Sequence, residues 1–393
     1  MKQEPSISKR IRVLCVIETL GRGGGAEQLV VSLAPELKKQ GVDLEFLDLF
    51  SWPDDLGVEL ERMGFTVHRA RLSHRWALLH GAMSIRRVVK ESHFDVIWSH
   101  LYFANIYAQA FNLLNKYFHD VKTISTLHST ANATPEGGLL AHVKSWVERW
   151  LLKQADVRVG VSHSVSNAYH DNAGLHGVKV IYNAVNTSVI PHNLESAEKE
   201  NVRIKFGVGK EDFLIVVPAR FVYEKGHSYL LKAIASINNT ERRIRAVFLG
   251  SEGSLRDSIL ELRNELGLHS IVTLQGIVPQ PDLHKLLAAS DCVVLPSLRE
   301  AFGLAAAEAM VTATPVILTS VDGFIELVGD SECALIVQPA NYIELADAIL
   351  KIMTDPIFAM QLGIKGRQRV VENFDISICA LAWRELFVQT IYE

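Results

Sequence analysis

Short, uniformly apolar runs alternate with amphipathic stretches along almost the whole chain. IRVLCVIETL, beginning at Ile11, passes through a glycine-rich turn into AEQLVVSLAPELKKQG, where apolar residues recur at helical spacing. Pro35 inside that stretch is expected to kink or shorten the helix. VDLEFLDLF, FTVHRA, FDVIWSH, VKTISTLHS, DVRVGVS and VKVIYNAVN follow, each bounded by polar or helical segments. A polar tract, PHNLESAEKENVRIKFGVGKED, then breaks the rhythm and reads as a weakly structured connection. The alternation restarts with FLIVVPAR, IRAVFLG, SIVTLQG, DCVVLPS, TPVILTS and CALIVQP. Strands this apolar, separated by helices, predict parallel sheets covered on both faces. The expected fold class is therefore α/β, with two doubly wound domains. Their expected bounds are 1–185 and 212–373, with a linker over 186–211 and a terminal segment over 374–393. Ligands of such sheets bind beyond the carboxyl ends of the strands, so a shared ligand would sit in a cleft between the two.

Composition narrows the class. At 393 residues with 48% hydrophobic and 21% charged positions, the chain reads as soluble, globular and too long for one ordinary core. No apolar run approaches the roughly 20 residues of a bilayer span, and IRVLCVI is too short for a signal peptide. Cys15, Cys292, Cys333 and Cys379 form no CxxC pair and read as buried free thiols, which favours a cytoplasmic location. The net charge of −4 divides unevenly: residues 1–185 hold 21 Lys+Arg against 18 Asp+Glu, and the remainder 19 against 26. That excludes a nucleic-acid partner and leaves the first half able to approach an anionic substrate or membrane.

Candidate chemistry collects at the turns after strands. LGRGGGAEQ joins the first strand to the first helix, and Gly21, Gly23 and Ala26 formally fit a dinucleotide fingerprint, with Asp48 about where it wants an acid. A tight turn explains the loop too, but three consecutive glycines favour close approach of a phosphate to a helix start. In VVPARFVYEKGHS, Arg220 and Lys225 follow a strand; they form either an anion site or a solvated loop in which Lys225 pairs with Glu224. Turns at Gly250 and Gly276 suit a nucleotide's surroundings. LREAFGLAAAEAM places Glu300 in a loop and Glu308 within the first turns of a helix, with Phe302, Gly303 and Leu304 between them. The pair reads as acid and base, as two holders of one ligand, or as a cap and an exposed helix residue.

Taken in order, these segments resemble the retaining glycosyltransferases of family 4. Glu300 to Glu308 is similar to that family's E-x7-E motif, ARFVYEKG to its Arg-x4-Lys-Gly segment, and GGGAEQ to its Gly-Gly-Ala-Glu loop. IYNAVN resembles the PNGVD segment, and TLHST the strand-end histidine segment; the likeness runs over about residues 11 to 375. It implies a GT-B fold: two Rossmann-like domains, an acceptor-binding one first, a nucleotide-sugar donor domain second, and a last helix crossing back to the first. It further implies that Glu300 holds the donor hexose, Glu308 the ribose, and that Arg220 and Lys225 neutralise the departing diphosphate. Gly23, Gly24 and Gly25 would assist with their amides, and His128 would sit near the reacting sugar. His100 and Asn105 would line the acceptor pocket. Retention would proceed by front-face attack, with no metal and no cofactor beyond the UDP- or GDP-linked sugar itself. Ala184 and Asp322 depart from the family's glycines, and the second bears on sugar identity.

Expected partners are the nucleotide sugar and a glycan, lipid-linked or small-molecule acceptor, with a place in cell-surface polysaccharide or glycoconjugate synthesis. Three other readings stand beside this one: a non-hydrolysing sugar-nucleotide epimerase, an NAD-dependent oxidoreductase using the first glycine loop, and a nucleotide-sugar-binding partner protein without activity. Arg71, Arg75, Trp76, Arg86, Arg87 and Lys90, with Trp146 and Trp150, read either as core-packed helices with basic faces or as a peripheral surface for anionic lipid.

Overall fold

The computed structural model describes residues 10–22, 24–51, 56–74, 77–115, 120–130, 139–237, 243–250 and 253–392. The chain divides into two units, one of residues 1–184 with 376–393 and one of residues 185–375.

In the first unit the strands are β1 (Ile11–Ile17), β2 (Val42–Asp48), β3 (Thr66–Arg69), β4 (Val96–His100), β5 (Lys122–Leu127), β6 (Val157–Gly160) and β7 (Val178–Val180). They form one parallel sheet in the order β3-β2-β1-β4-β5-β6-β7. The order reverses between β1 and β4, where an open α/β sheet offers a crevice. The apolar runs are continuous because each face needs its own alternate residues. Val13, Cys15 and Ile17 of β1 pack with α1 (Gly25–Lys39), whereas Leu14 and Val16 enter a second core with α3 (Leu78–Glu91) and α4 (Tyr102–Asn115). Pro35 sits inside α1, which nevertheless runs 15 residues. Helices α2 (Leu56–Arg62), α5 (Leu139–Leu152) and α6 (His163–Ala173) complete the windings. The last helix, α15 (Ile376–Tyr392), belongs to this unit: Trp383 and Phe387 meet Trp98 of β4 at ring distances of 4.6 and 5.5 Å.

The second unit carries β8 (Phe213–Pro218), β9 (Ile244–Leu249), β10 (Val272–Gln275), β11 (Cys292–Leu295), β12 (Val316–Thr319) and β13 (Leu335–Val337), parallel in the order β10-β9-β8-β11-β12-β13. Its helices are α7 (Ser196–Lys205), α8 (His227–Ile237), α9 (Arg256–Glu265), α10 (Gln280–Ala289), α11 (Leu304–Val311), α12 (Asp322–Val328), α13 (Tyr342–Thr354) and α14 (Pro356–Asn373). The topology again switches, between β8 and β11.

The polar tract read as a linker over 186–211 is in part an integral piece of this unit. Helix α7 is fastened by Arg203, 4% exposed, which donates to the carbonyls of Gly209, Asp212 and Ala289 and pairs with Asp291 at 3.0 Å. One buried guanidinium with all its partners holds a segment whose apolar content is too low to signal burial.

Candidate functional site

In the second unit, the turn after β8 is a single 3-10 turn, Tyr223–Lys225, closed by Gly226 at φ +63°. A Cβ there would collide with the carbonyl of Pro296, which follows β11, so only glycine lets the two turns touch. Leu298 N–H donates to Glu224 O at 2.7 Å across the same seam. Lys225 therefore faces the β11 loop, and its Nζ lies 2.6 Å from Glu300 Oε2, both side chains being mostly buried. The solvated Lys225–Glu224 pairing is replaced by this contact. Arg220 is exposed on the same turn, and its guanidinium has no partner among the described residues. Its carbonyl is held by His227 Nε2 at 3.0 Å. His227, 2% exposed at the start of α8, is pushed down to about 4, chiefly by burial. It was not singled out from the sequence, where a lone histidine after a glycine carries little signal.

Glu308, one turn into α11, accepts from Gln280 Nε2 at 3.1 Å and lies 3.8 Å from His284 Nε2. Gly303 caps α11 at φ +102°, where a Cβ would meet the Phe324 ring at 2.7 Å. The Glu300 loop rests on α12: a Cβ at Gly323 would come within 2.6 Å of Glu300 O. Phe302 is 1% exposed against Phe374 and Leu304 is half-buried, so the Phe302 ring belongs to the core and only its backbone is left to face a ligand. Gly250 is required by packing, because a Cβ there would press on the Ala219 and Arg220 backbone, whereas Gly276 is exposed with open space around it.

In the first unit, Gly24 caps α1 and Gly25 opens it, while Gly23 lies outside the described residues. Asp48, the acid a dinucleotide would need, is fully buried and accepts from Ser51 N–H at 3.0 Å. It closes a turn and is fully buried, so the acid that the nicotinamide reading wants beside its glycine loop does not reach the surface. His100 at the end of β4 meets His128 after β5, Nδ1 to Nε2, at 2.9 Å. Burial holds both below the ordinary histidine range, His128 at about 4, and His128 adds to the effect on His100. His100 is 1% exposed, so of the two only His128 reaches the surface of the fold. Asn105 is 2% exposed; it accepts from Ser99 Oγ at 2.7 Å and donates to Thr126 O at 2.9 Å. With Gln109 and Asn112, which bond Ser125 and Thr123, it forms a stripe of amides fastening α4 to β5. Its amide is engaged in these bonds, and the residue also lines a cavity with Glu18, His128 and Glu148.

Among the described residues, no group of three or more His, Cys, Asp or Glu could hold a metal ion, and no helix is long and apolar enough to cross a membrane. Trp146 and Trp150, one turn apart on α5, are 61% and 47% exposed, whereas Glu148, Leu151 and Leu152 of the same helix are buried, so α5 packs on the core and leaves these two rings outside it. Leu79 and Met83 of α3 are also exposed, as are Arg71, Arg86, Arg87 and Lys90; Arg75 and Trp76 lie outside the described residues.

Two family models match: "Glycosyltransferase Family 4" over residues 23–189 and "Glycosyl transferases group 1" over 198–369, between them most of the chain. The glycosyltransferase MJ1607 of Methanocaldococcus jannaschii is 33% identical over 197 residues, half of each chain. The D-inositol 3-phosphate glycosyltransferase of Corynebacterium diphtheriae is 24% identical over 88% of this chain and 85% of its own. The chain spans between half and about two thirds of the length of the first curated relatives it matches. Among solved structures, Anabaena Alr3699/HepE in complex with UDP and glucose superposes with a TM-score of 0.81 at 20% identity, covering 96% of this chain and 100% of that one. The sucrose-phosphate synthase of Thermosynechococcus elongatus also reaches 0.81, at 23% identity, over 96% and 98%. Two parallel-sheet Rossmann-like units with these neighbours make the fold GT-B. With Glycosyltransferase Family 4 matched in the first unit and Glycosyl transferases group 1 in the second, the chain belongs to the glycosyltransferases that these two models together describe.

Proposed function

We propose that the protein is a retaining glycosyltransferase that moves a hexose-type sugar from a UDP- or GDP-linked donor to a glycan, lipid-linked or small-molecule acceptor. The observation that carries this is the cluster of Lys225, Glu300 and Arg220 on two touching turns of the second unit, with Glu308 on the adjoining helix. A cation pair at strand ends suits a diphosphate: Arg offers a fork and Lys a point charge to the oxygens that gain negative charge as the donor's C1–O bond breaks. Glu300 then accepts hydroxyls of the sugar and Glu308 those of the ribose. The acceptor oxygen bonds C1 on the face the diphosphate leaves, and its proton passes to a leaving-phosphate oxygen. Charge stabilisation by Arg220 and Lys225 does the work a divalent ion does elsewhere, so no metal is required in this reading. His128, held neutral, contributes hydrogen bonding beside the sugar rather than a general base.

HepE was solved with UDP and glucose and WaaG is described as acting in lipopolysaccharide biosynthesis, which supports donor binding and a role in polysaccharide or glycoconjugate synthesis. The exposed Trp146 and Trp150 with the basic α3 support a cytoplasmic protein that docks on anionic lipid. A thermal-shift screen of UDP- and GDP-sugars, followed by transfer assays with lipid-linked and free acceptors, tests the reading. Donor binding without transfer to any acceptor overturns it in favour of a non-catalytic binder. Interconversion of free nucleotide sugars would instead identify an epimerase.

A further inference from the structure

A cavity of about 160 Å³ opens within the first unit at the carboxyl ends of β1, β4 and β5, beside the point where the strand order reverses. Glu18 follows β1, Tyr102 begins α4, His128 follows β5, and Glu148 and Tyr169 reach in from α5 and α6. Leu101, also lining it, is held at φ 72°, a left-handed conformation that a branched side chain adopts only where its surroundings enforce it.

The cavity's acidic and phenolic side chains are the ones with hydrogen-bonding groups turned to a ligand of one kind. Glu148 is 2% exposed, accepts from Tyr169 Oη at 3.2 Å through Oε1, and its Oε2 has no hydrogen bond among the described residues. Glu18 takes the Phe103 N–H at 2.7 Å and so is fixed at the start of α4. Tyr102 adds a second phenol. No described lysine or arginine lines the cavity, and Arg149, the nearest cation in sequence to Glu148, is turned to the carbonyls of Ser145 and Asn172. The two histidines at the strand ends are neutral above about pH 6.5.

We propose that this cavity is the seat of one uncharged, polyhydroxylated acceptor ring, and that Glu148 is the residue that selects it. The inference rests on the glycosyltransferase reading and names the acceptor class. Carboxyl and phenol groups trade hydrogen bonds with ring hydroxyls, and the volume, below the roughly 300–1,000 Å³ of larger ligand sites, suits a single ring. A phosphorylated ring would bring its charge beside the Glu18 carboxylate, with no described lysine or arginine in the lining to receive it. Burial pushes Glu148 up to about 8, so at pH 7 it can donate as well as accept.

The test is ligand-observed saturation-transfer NMR on the full chain at pH 7, without nucleotide. The probes are the methyl glycosides of glucose, mannose and galactose, their 6-phosphates and their 2-amino analogues. We expect at least one neutral glycoside to bind, its 6-phosphate to bind at least tenfold more weakly, and Glu148→Leu to abolish the signal. Glu148→Gln, which keeps shape and hydrogen bonding, restores it to within about threefold. Absence of neutral-glycoside binding, equal or tighter binding of phosphate or amine, or binding indifferent to Glu148→Leu overturns the proposal. Equal loss in the Gln and Leu variants overturns the role given to Glu148. UDP and GDP binding is measured in parallel, because it depends on Lys225 and Glu300: nucleotide binding without glycoside binding removes this inference alone, and the converse removes the donor reading alone.

Discussion

Lys225 Nζ and Glu300 Oε2, 75 positions apart in sequence, meet at 2.6 Å where the turn after β8 touches the loop after β11. The contact joins the cation proposed for the diphosphate to the carboxylate proposed for the sugar. Each therefore positions the other before any donor arrives.

Removing either partner is expected to separate activity from folding. Glu300→Gln and Lys225→Ala each lose about 10²–10³-fold in kcat, the usual effect of deleting a charge that acts on the transition state. Stability falls by about 1–3 kcal/mol, because the pair is mostly buried and each change leaves its partner unmatched, while the fold is retained. Steady-state transfer kinetics alongside thermal unfolding check this; full activity in either variant would sink the donor-site assignment.

Gly323→Ala is expected to damage the same loop from behind. The new Cβ would lie 2.6 Å from Glu300 O and 2.7 Å from the Ala301 carbonyl carbon, backbone atoms that cannot swing away. A cost of about 1–3 kcal/mol in stability and weakened nucleotide-sugar binding follow. Gly276→Ala, with nothing within 4 Å of its Cβ, is the matched control and leaves Tm unchanged. Calorimetry on the two variants decides the point.

His100, His128 and His227 set the acid limit of stability. Burial, first among the causes for each, depresses their folded pKa, to about 4 for His128 and His227. A depressed value means the folded state binds fewer protons than the unfolded one. Stability is then fully present above the ordinary value of about 6.5 and is lost as pH falls from there toward 4. Tm measured from pH 7.5 to 4 should drop through that window, and more gently in His227→Phe.

Glu148 works at the other end. Its folded value, raised to about 8 by burial against the lowering influence of Tyr169 and Arg149, exceeds its unfolded value. Its stability contribution is present below about pH 4.5 and is lost as pH rises through 8. Glu148→Gln removes that loss, so the variant should be more stable than the wild type at pH 8.5 by a few kcal/mol, at ~1.4 kcal/mol per pH unit inside the window. The gap should close near pH 4.5. Paired unfolding curves at the two pH values test it; a constant gap would mean that Glu148 titrates normally.

Strand positions were legible because both faces of each sheet are buried, which makes the runs apolar at every residue, as in VVL of β11. Turn glycines and the cation–carboxylate set were legible as types of residue, but their pairing was not. Lys225 has Glu224 beside it in sequence, and only the close approach that Gly226 permits sends it to Glu300. The spacing of Asn105, Gln109 and Asn112, four and three apart, marks one polar face of α4 turned to β5, a pattern visible in the sequence once the helix is placed. Glu148 was hidden between Trp146 and Trp150, whose aromatic spacing dominated that helix. Its partner Tyr169 lies 21 positions on, on another helix. Buried polar pairs across elements leave no periodic trace, and this is where reading a single chain stops.

Helix α15 has a consequence for biosynthesis. Trp383 and Phe387 close the core that Val13, Cys15 and Trp98 begin, yet the whole second unit is translated between them. The face of Trp98 that α15 covers, beyond the part of the core closed by α1, stays open until the second unit has been translated, and the first unit is completed after it. Exposure of that face on the nascent chain makes it a natural holding point for a chaperone, and a chain stalled before residue 376 leaves it uncovered.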